Sequence, residues 1–188
     1  MRYTYTILCL LICLTTYSCK TDKKGDARSS PERNAKDDPL NLENTPLKDF
    51  LFLFGEWEGE FEFVMAMKDL STEILPAKCS VKQDQHKIKM NYTYESNGRT
   101  VPDNQEVFHD VSRGIFFGGN YNAIESVERN GENVSILLTR VGSENRKPAD
   151  IRTTLNFDGQ VLKIIKKAKP ENKSEFTFRN SYTLNKIK

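Results

Sequence analysis

The chain is 188 residues long, enough for one domain plus a tail. Its 28 Lys and Arg nearly balance 26 Asp and Glu, a formal charge of +2, which argues against a dedicated nucleic-acid binder with a strongly basic face. Aromatic residues make up 10% of the chain, too many for a wholly disordered polymer, and the apolar run at the N-terminus is too short to span a bilayer.

Residues 1–18 read as a secretory signal. Arg2 supplies the charge, Ile7 to Leu14 the short apolar core, and Thr15 to Ser18 the cleavage region. Ser18-Cys19 then resembles the lipobox of bacterial lipoproteins. That resemblance implies cleavage before Cys19 and a lipid on its thiol, although Thr16 stands where the pattern prefers an aliphatic residue. An ordinary secretory signal and an uncleaved anchor are the alternatives. Of the four cysteines, Cys9 and Cys13 leave with the signal and Cys19 becomes a thioether. Cys79 is left without an intramolecular partner and is expected to pack as a small hydrophobe.

Residues 19–45 form the expected lipidated N-terminus and flexible linker. Between Lys20 and Thr45 there is no aromatic residue, and Leu40 and Leu42 are the large aliphatics. Such a segment cannot bury enough apolar area to offset its chain entropy.

The folded domain is expected over residues 46–188. Thr45 suits an N-cap and Pro46 a first helical position, with Leu47, Phe50, Leu51 and Phe54 on one face and Gly55 ending the helix. The period then switches to two. Trp57, Phe61, Phe63, Met65 and Met67 share one parity, and Glu56, Glu58, Glu60 and Glu62 the other. Alternation recurs through Ile88, Met90, Tyr92 and Tyr94, through Ile151 to Phe157, and through Phe176, Phe178, Tyr182 and Leu184. Asn97-Gly98, Gly118-Gly119, Asn130-Gly131 and Asp158-Gly159 supply tight turns. Short connections mean antiparallel neighbours. An all-β, antiparallel up-and-down β-barrel of about eight to ten strands, with a short N-terminal helix, solves the edge problem.

The opening Phe52 to Phe63, with Gly55 and Trp57 spaced as Gly-x-Trp after a helix, resembles calycin barrels, the lipocalin and fatty-acid-binding superfamily. That resemblance implies a last-strand arginine, here Arg179, covering Trp57 at a closed end. The texture is closest to bacterial lipocalin-like proteins of unknown function and to nitrobindin-like barrels. The latter bind haem through a late histidine; no histidine follows His109 here, so haem is not carried over and no cofactor is expected.

No catalytic centre is expected. His86 and His109 fall on different predicted strands, and their spacing with Cys79, Asp84 and Asp110 matches no zinc pattern. There is no G-x-S-x-G nucleophile turn. The Glu56–Glu62 row reads as a wet strand face paired with lysines such as Lys87 and Lys89. Lys163, Lys166, Lys167, Lys169 and Lys173 read as a cluster protecting a strand edge or touching anionic headgroups.

The expected function is therefore non-enzymatic binding of a small apolar ligand inside the barrel, against Phe61, Phe63, Met90, Tyr92, Tyr94 and Phe178. The alternative is an envelope interaction protein with a solid core. Expected partners are the membrane, through the N-terminal lipid, the ligand, and an envelope protein; metal and nucleic acid are not expected. The expected location is the cell envelope, on the periplasmic side of the outer membrane rather than at the inner membrane.

Overall fold

The computed structural model describes residues 41–65, 71–144 and 146–187. The signal, Cys19, most of the linker and Met67 lie outside the described residues.

A 3-10 turn over Leu42–Asn44 leads into a 3-10 helix over Pro46–Leu53. Thr45 caps the helix, its hydroxyl accepting from the Leu47 amide at 3.1 Å. Three residues per turn place Leu47, Phe50 and Leu53 on one face, and all three are buried. The face therefore differs from the expected Leu47, Phe50, Leu51, Phe54 stripe, because a 3-10 winding selects every third residue. Leu42 is also buried, so core packing begins inside the segment read as linker.

Ten strands follow: β1 (Gly55–Val64), β2 (Thr72–Asp84), β3 (Lys87–Ser96), β4 (Arg99–Asp110), β5 (Gly114–Phe117), β6 (Asn120–Asn130), β7 (Asn133–Glu144), β8 (Lys147–Phe157), β9 (Val161–Pro170) and β10 (Thr177–Lys186). Each pairs antiparallel with its chain neighbours, and β1 pairs with β10, so the sheet closes into a barrel. Turn chemistry makes this order cheap. At the β3–β4 hairpin Asn97 and Gly98 both take positive φ, 52° and 70°, as a two-residue primed turn requires.

Alternation sorts the side chains. Ile88, Met90 and Tyr92 are buried within the barrel while Lys87, Lys89 and Asn91 face out. The acidic row of β1 faces out as expected, but its partners sit on β2. Glu58 meets Lys78 at 3.4 Å and Glu56 meets Lys82 at 3.7 Å, because the β1–β2 register sets Glu58 opposite Lys78. Lys87 pairs instead with Glu106 of β4. Gly59 is needed at the β1–β10 seam. A Cβ there would lie 2.0 Å from the Thr183 carbonyl oxygen.

Candidate functional site at the barrel mouth

One end of the barrel is plugged. The β1–β10 register places Trp57 opposite Lys186. Trp57 is fully buried and its Nε1 donates to the Leu53 carbonyl at 2.8 Å, tying the helix to the first strand. Phe157 meets the indole edge-on at 5.9 Å between ring centres, and the Lys186 ammonium lies 5.5 Å from the indole centre. The cation over Trp57 is therefore Lys186. Arg179, the residue the calycin resemblance implied, is seven residues up the same strand, roughly 20 Å away at about 3.3 Å per residue.

Above the plug the interior is filled by rings. Phe61 stacks on Tyr182 at 4.6 Å, Tyr92 lies 4.8 Å from Tyr182, and Tyr94 lies 5.0 Å from Phe61. The hydroxyls of Tyr94 and Tyr182 share a hydrogen bond at 2.8 Å, and Tyr94 also donates to Asp103 Oδ2 at 3.1 Å. Cys79, free and buried, sits in register between Trp57 and Tyr92. Burial pushes its thiol up to about 12 and pushes the hydroxyls of Tyr92, Tyr94 and Tyr182 upward as well. The adjacent Tyr92 hydroxyl acts on the Cys79 thiol in the opposite sense, and burial outweighs it.

Of the expected ligand wall, Phe61, Phe63, Met90, Tyr92 and Tyr94 share the inner side, with Phe63 stacked on Phe61 at 5.2 Å. Phe178 does not join them. A β-bulge between Phe178 and Asn180 breaks the alternation, leaving Phe178 paired with outward Lys167 while Asn180 pairs with Lys166. Simple parity from Tyr182 carried Phe178 to the wrong face.

Toward the other end lies a polar space. A cavity of about 90 Å³ is lined by Gln105, Phe117, Gly118, Asn122, Arg140, Thr153, Ile164, Lys166, Asn180 and Tyr182. Arg140 continues the inward series Val134, Ile136, Leu138 on β7, and Lys166 continues Leu162, Ile164 on β9. Both are half-buried. Burial first, and Arg140 second, lower the proton affinity of Lys166, while Glu144 opposes them. Glu144 itself lies 2.8 Å from Arg179 Nε, an ion pair whose N–H is not aligned as a hydrogen bond. Asp103 is occupied by Tyr94 and by Gln105 Nε2 at 2.8 Å.

The lysine cluster thus divides. Lys163 and Lys167 are exposed on the outer wall, Lys169 pairs with Asp150 at 3.1 Å, and Lys166 points inward. Edge protection does not explain them, because a closed barrel has no edge to protect. The lysine-cluster reading groups Lys166 with its charged neighbours, and Arg140 does not enter the sequence reading. The usable signal was a lone cation in phase with an apolar series.

Two other places carry little chemistry. His86 and His109 are both exposed, and the described residues hold no group of three metal-ligating side chains. A larger recess of about 480 Å³ lies on the outer surface, lined by residues of β6 to β9 that include Glu128, Arg129, Asn156 and Asp158. Two of its charged side chains are engaged elsewhere. Arg129 reaches Asp49 at 3.0 Å, and the Asp158 carboxylate is held low by the Val161 and Gln160 amides of its own turn. No helix among the described residues is long and apolar enough to cross a membrane.

Comparison with protein-family models finds no match, and comparison with curated proteins finds none. Among solved structures, the chain is similar to the crystal structure of Rv2717c from M. tuberculosis, with a TM-score of 0.51 and 10% sequence identity. The likeness covers 77% of this chain and 99% of that one. It extends the barrel fold to both chains.

Proposed function

We propose that this protein is a lipid-anchored cell-envelope protein whose barrel is a non-enzymatic binding module, taking a small ligand at its open end. The observation that carries the reading is the mouth cavity, an interior space bordered by inward-facing polar side chains above a filled barrel. On one side stand Phe117, Ile164 and the ring of Tyr182, which suit an apolar ligand body. On the other stand Arg140, Lys166 and Asn180, which suit a polar group. The non-enzymatic part rests on protonation. The buried hydroxyls and thiol of the barrel hold their protons more tightly than usual, so none of them is poised as a general base, and Lys166, lowered at the cavity, is read as a ligand-binding cation. The anchor rests on Ser18-Cys19 behind the signal, and the envelope location, with the outer membrane preferred, follows from the anchor.

The small volume favours a second reading, an envelope interaction protein with a solid core, since ligand sites usually enclose ~300–1,000 Å³. Mass spectrometry of organic extracts from the folded protein separates the two. A reproducible co-purifying small molecule supports binding; empty extracts, together with no saturable binding of an environment-sensitive fatty-acid probe, leave the interaction reading. Labelling with radioactive palmitate tests the anchor, and Cys19→Ala should abolish the label.

A further inference from the structure

We propose that the mouth cavity is an anion site, in which Arg140 and Lys166 together hold a carboxylate or phosphate group carried by a small ligand. The inference rests on the reading of the barrel as a binding module and names the chemistry its ligand must have.

Strand β8 runs between β7 and β9, and its Ile151 and Thr153 pair with Arg140 and Lys166 respectively. The two cations therefore project from the inner face at adjacent levels, two strands apart, into the same cavity. Among the described residues neither side chain has a hydrogen-bond or ion-pair partner. The inward acids nearby are already engaged, Glu144 by Arg179 and Asp103 by Tyr94 and Gln105. Glu144 favours the Lys166 charge but is already paired with Arg179, so the two half-buried cations are under-compensated, a cost to the fold because each loses hydration and repels the other. The repulsion is visible in Lys166, whose proton affinity Arg140 lowers.

The strand has nonetheless made room for this arrangement. Gly142 lies beneath the Arg140 guanidinium: a Cβ there would sit 2.1 Å from Arg140 Nη1 and 2.9 Å from Ile151 Cδ1. Within a strand, where glycine has a conformational cost, this one keeps the guanidinium in place. Thr153 and Asn180 border the same space and supply a hydroxyl and an amide. About 90 Å³ is the room of a few water molecules, enough for a carboxylate or phosphate and too little for a hydrocarbon chain. A guanidinium and an ammonium converging from strands on either side of β8 match an oxyanion, and binding it offsets their charge.

The test uses the purified full chain and three probes that share an aromatic body: benzoate, phenyl phosphate and benzyl alcohol. Calorimetry should give saturable binding of benzoate or phenyl phosphate at least tenfold tighter than benzyl alcohol, and the tighter of the two anions identifies the head group as carboxylate or phosphate. Arg140→Met and Lys166→Met should each weaken the anion tenfold or more without lowering the melting temperature of the free protein. Arg140→Lys should retain most of the binding, and Lys163→Met on the outer face of β9 should change nothing. Equal binding of all three probes, indifferent to the variants, overturns the anion site and leaves the binding barrel standing. A variant that melts lower yet binds the anion unchanged also overturns it, by making the cations structural. Absence of binding for every probe, with empty organic extracts, removes the binding reading itself.

Discussion

The two ends of this barrel hold cations in opposite ways. At the plugged end Lys186 lies over the faces of Trp57 and Phe157, and the plug beneath it is a buried indole tied to the helix by a hydrogen bond. At the mouth Arg140 and Lys166 face each other across a polar cavity with their neighbouring acids committed elsewhere. The first arrangement is satisfied internally and contributes to stability. The second is left open, and an incompletely matched charge is where a protein meets something outside itself. The contrast teaches that an inward charge in a barrel is informative only after its partners are counted.

The sharpest way to break this comparison is at the plug. Trp57→Ala removes a fully buried indole and the bond to Leu53, and should cost about 3–5 kcal/mol in urea unfolding. A loss under ~1 kcal/mol would mean that the plug is not the stability centre. The next effect is alkaline. The Cys79 thiol is raised from 9.0 to about 12, above its unfolded value. Its contribution is therefore complete below about pH 9 and is lost as the pH climbs toward 12, by up to about 4 kcal/mol for three pH units at ~1.4 each. The buried tyrosines shift in the same direction. Cys79→Ala should flatten the pH 9–12 limb of the stability profile, measured by denaturant titration at each pH.

The seam between the first and last strands offers a smaller effect. Gly59→Ala forces a methyl against the Thr183 carbonyl and should cost about 1–3 kcal/mol, with the β1–β10 amides losing hydrogen-exchange protection first. At the mouth the sign reverses. Lys166 is depressed in the folded state, so its charge opposes folding at neutral pH and the penalty fades only as the pH approaches its ordinary value of 10.5. Lys166→Met should therefore stabilise, by about 0.5 kcal/mol after solvent screening, as a rise in melting temperature at pH 7. A fall would place Lys166 with Lys186 among the structural cations. The smallest effect belongs to the outer wall, where Glu58→Gln breaks an exposed pair with Lys78 and should change stability by at most about 0.5 kcal/mol.

Much of this molecule was legible from its residues. The switch from helical three- and four-residue spacing to two-residue periodicity at Gly55, the turn pairs and the absence of crossover-length connections specify an antiparallel barrel, and the inward placement of Trp57, Met90, Tyr92 and Tyr94 follows from local alternation alone. Those properties depend on neighbours within a few residues. Three others depend on distant ones. The bulge at Arg179 turns Phe178 outward, a shift that no parity count from Tyr182 includes. Closure of β1 on β10 sets Lys186, rather than Arg179, over Trp57. And Arg140 and Lys166, separated by an entire strand, meet only because β8 holds β7 and β9 in one register. Sequence determines which way a side chain alternates; the register of closed strands decides which side chains share a space, and for charges that sharing is the chemistry.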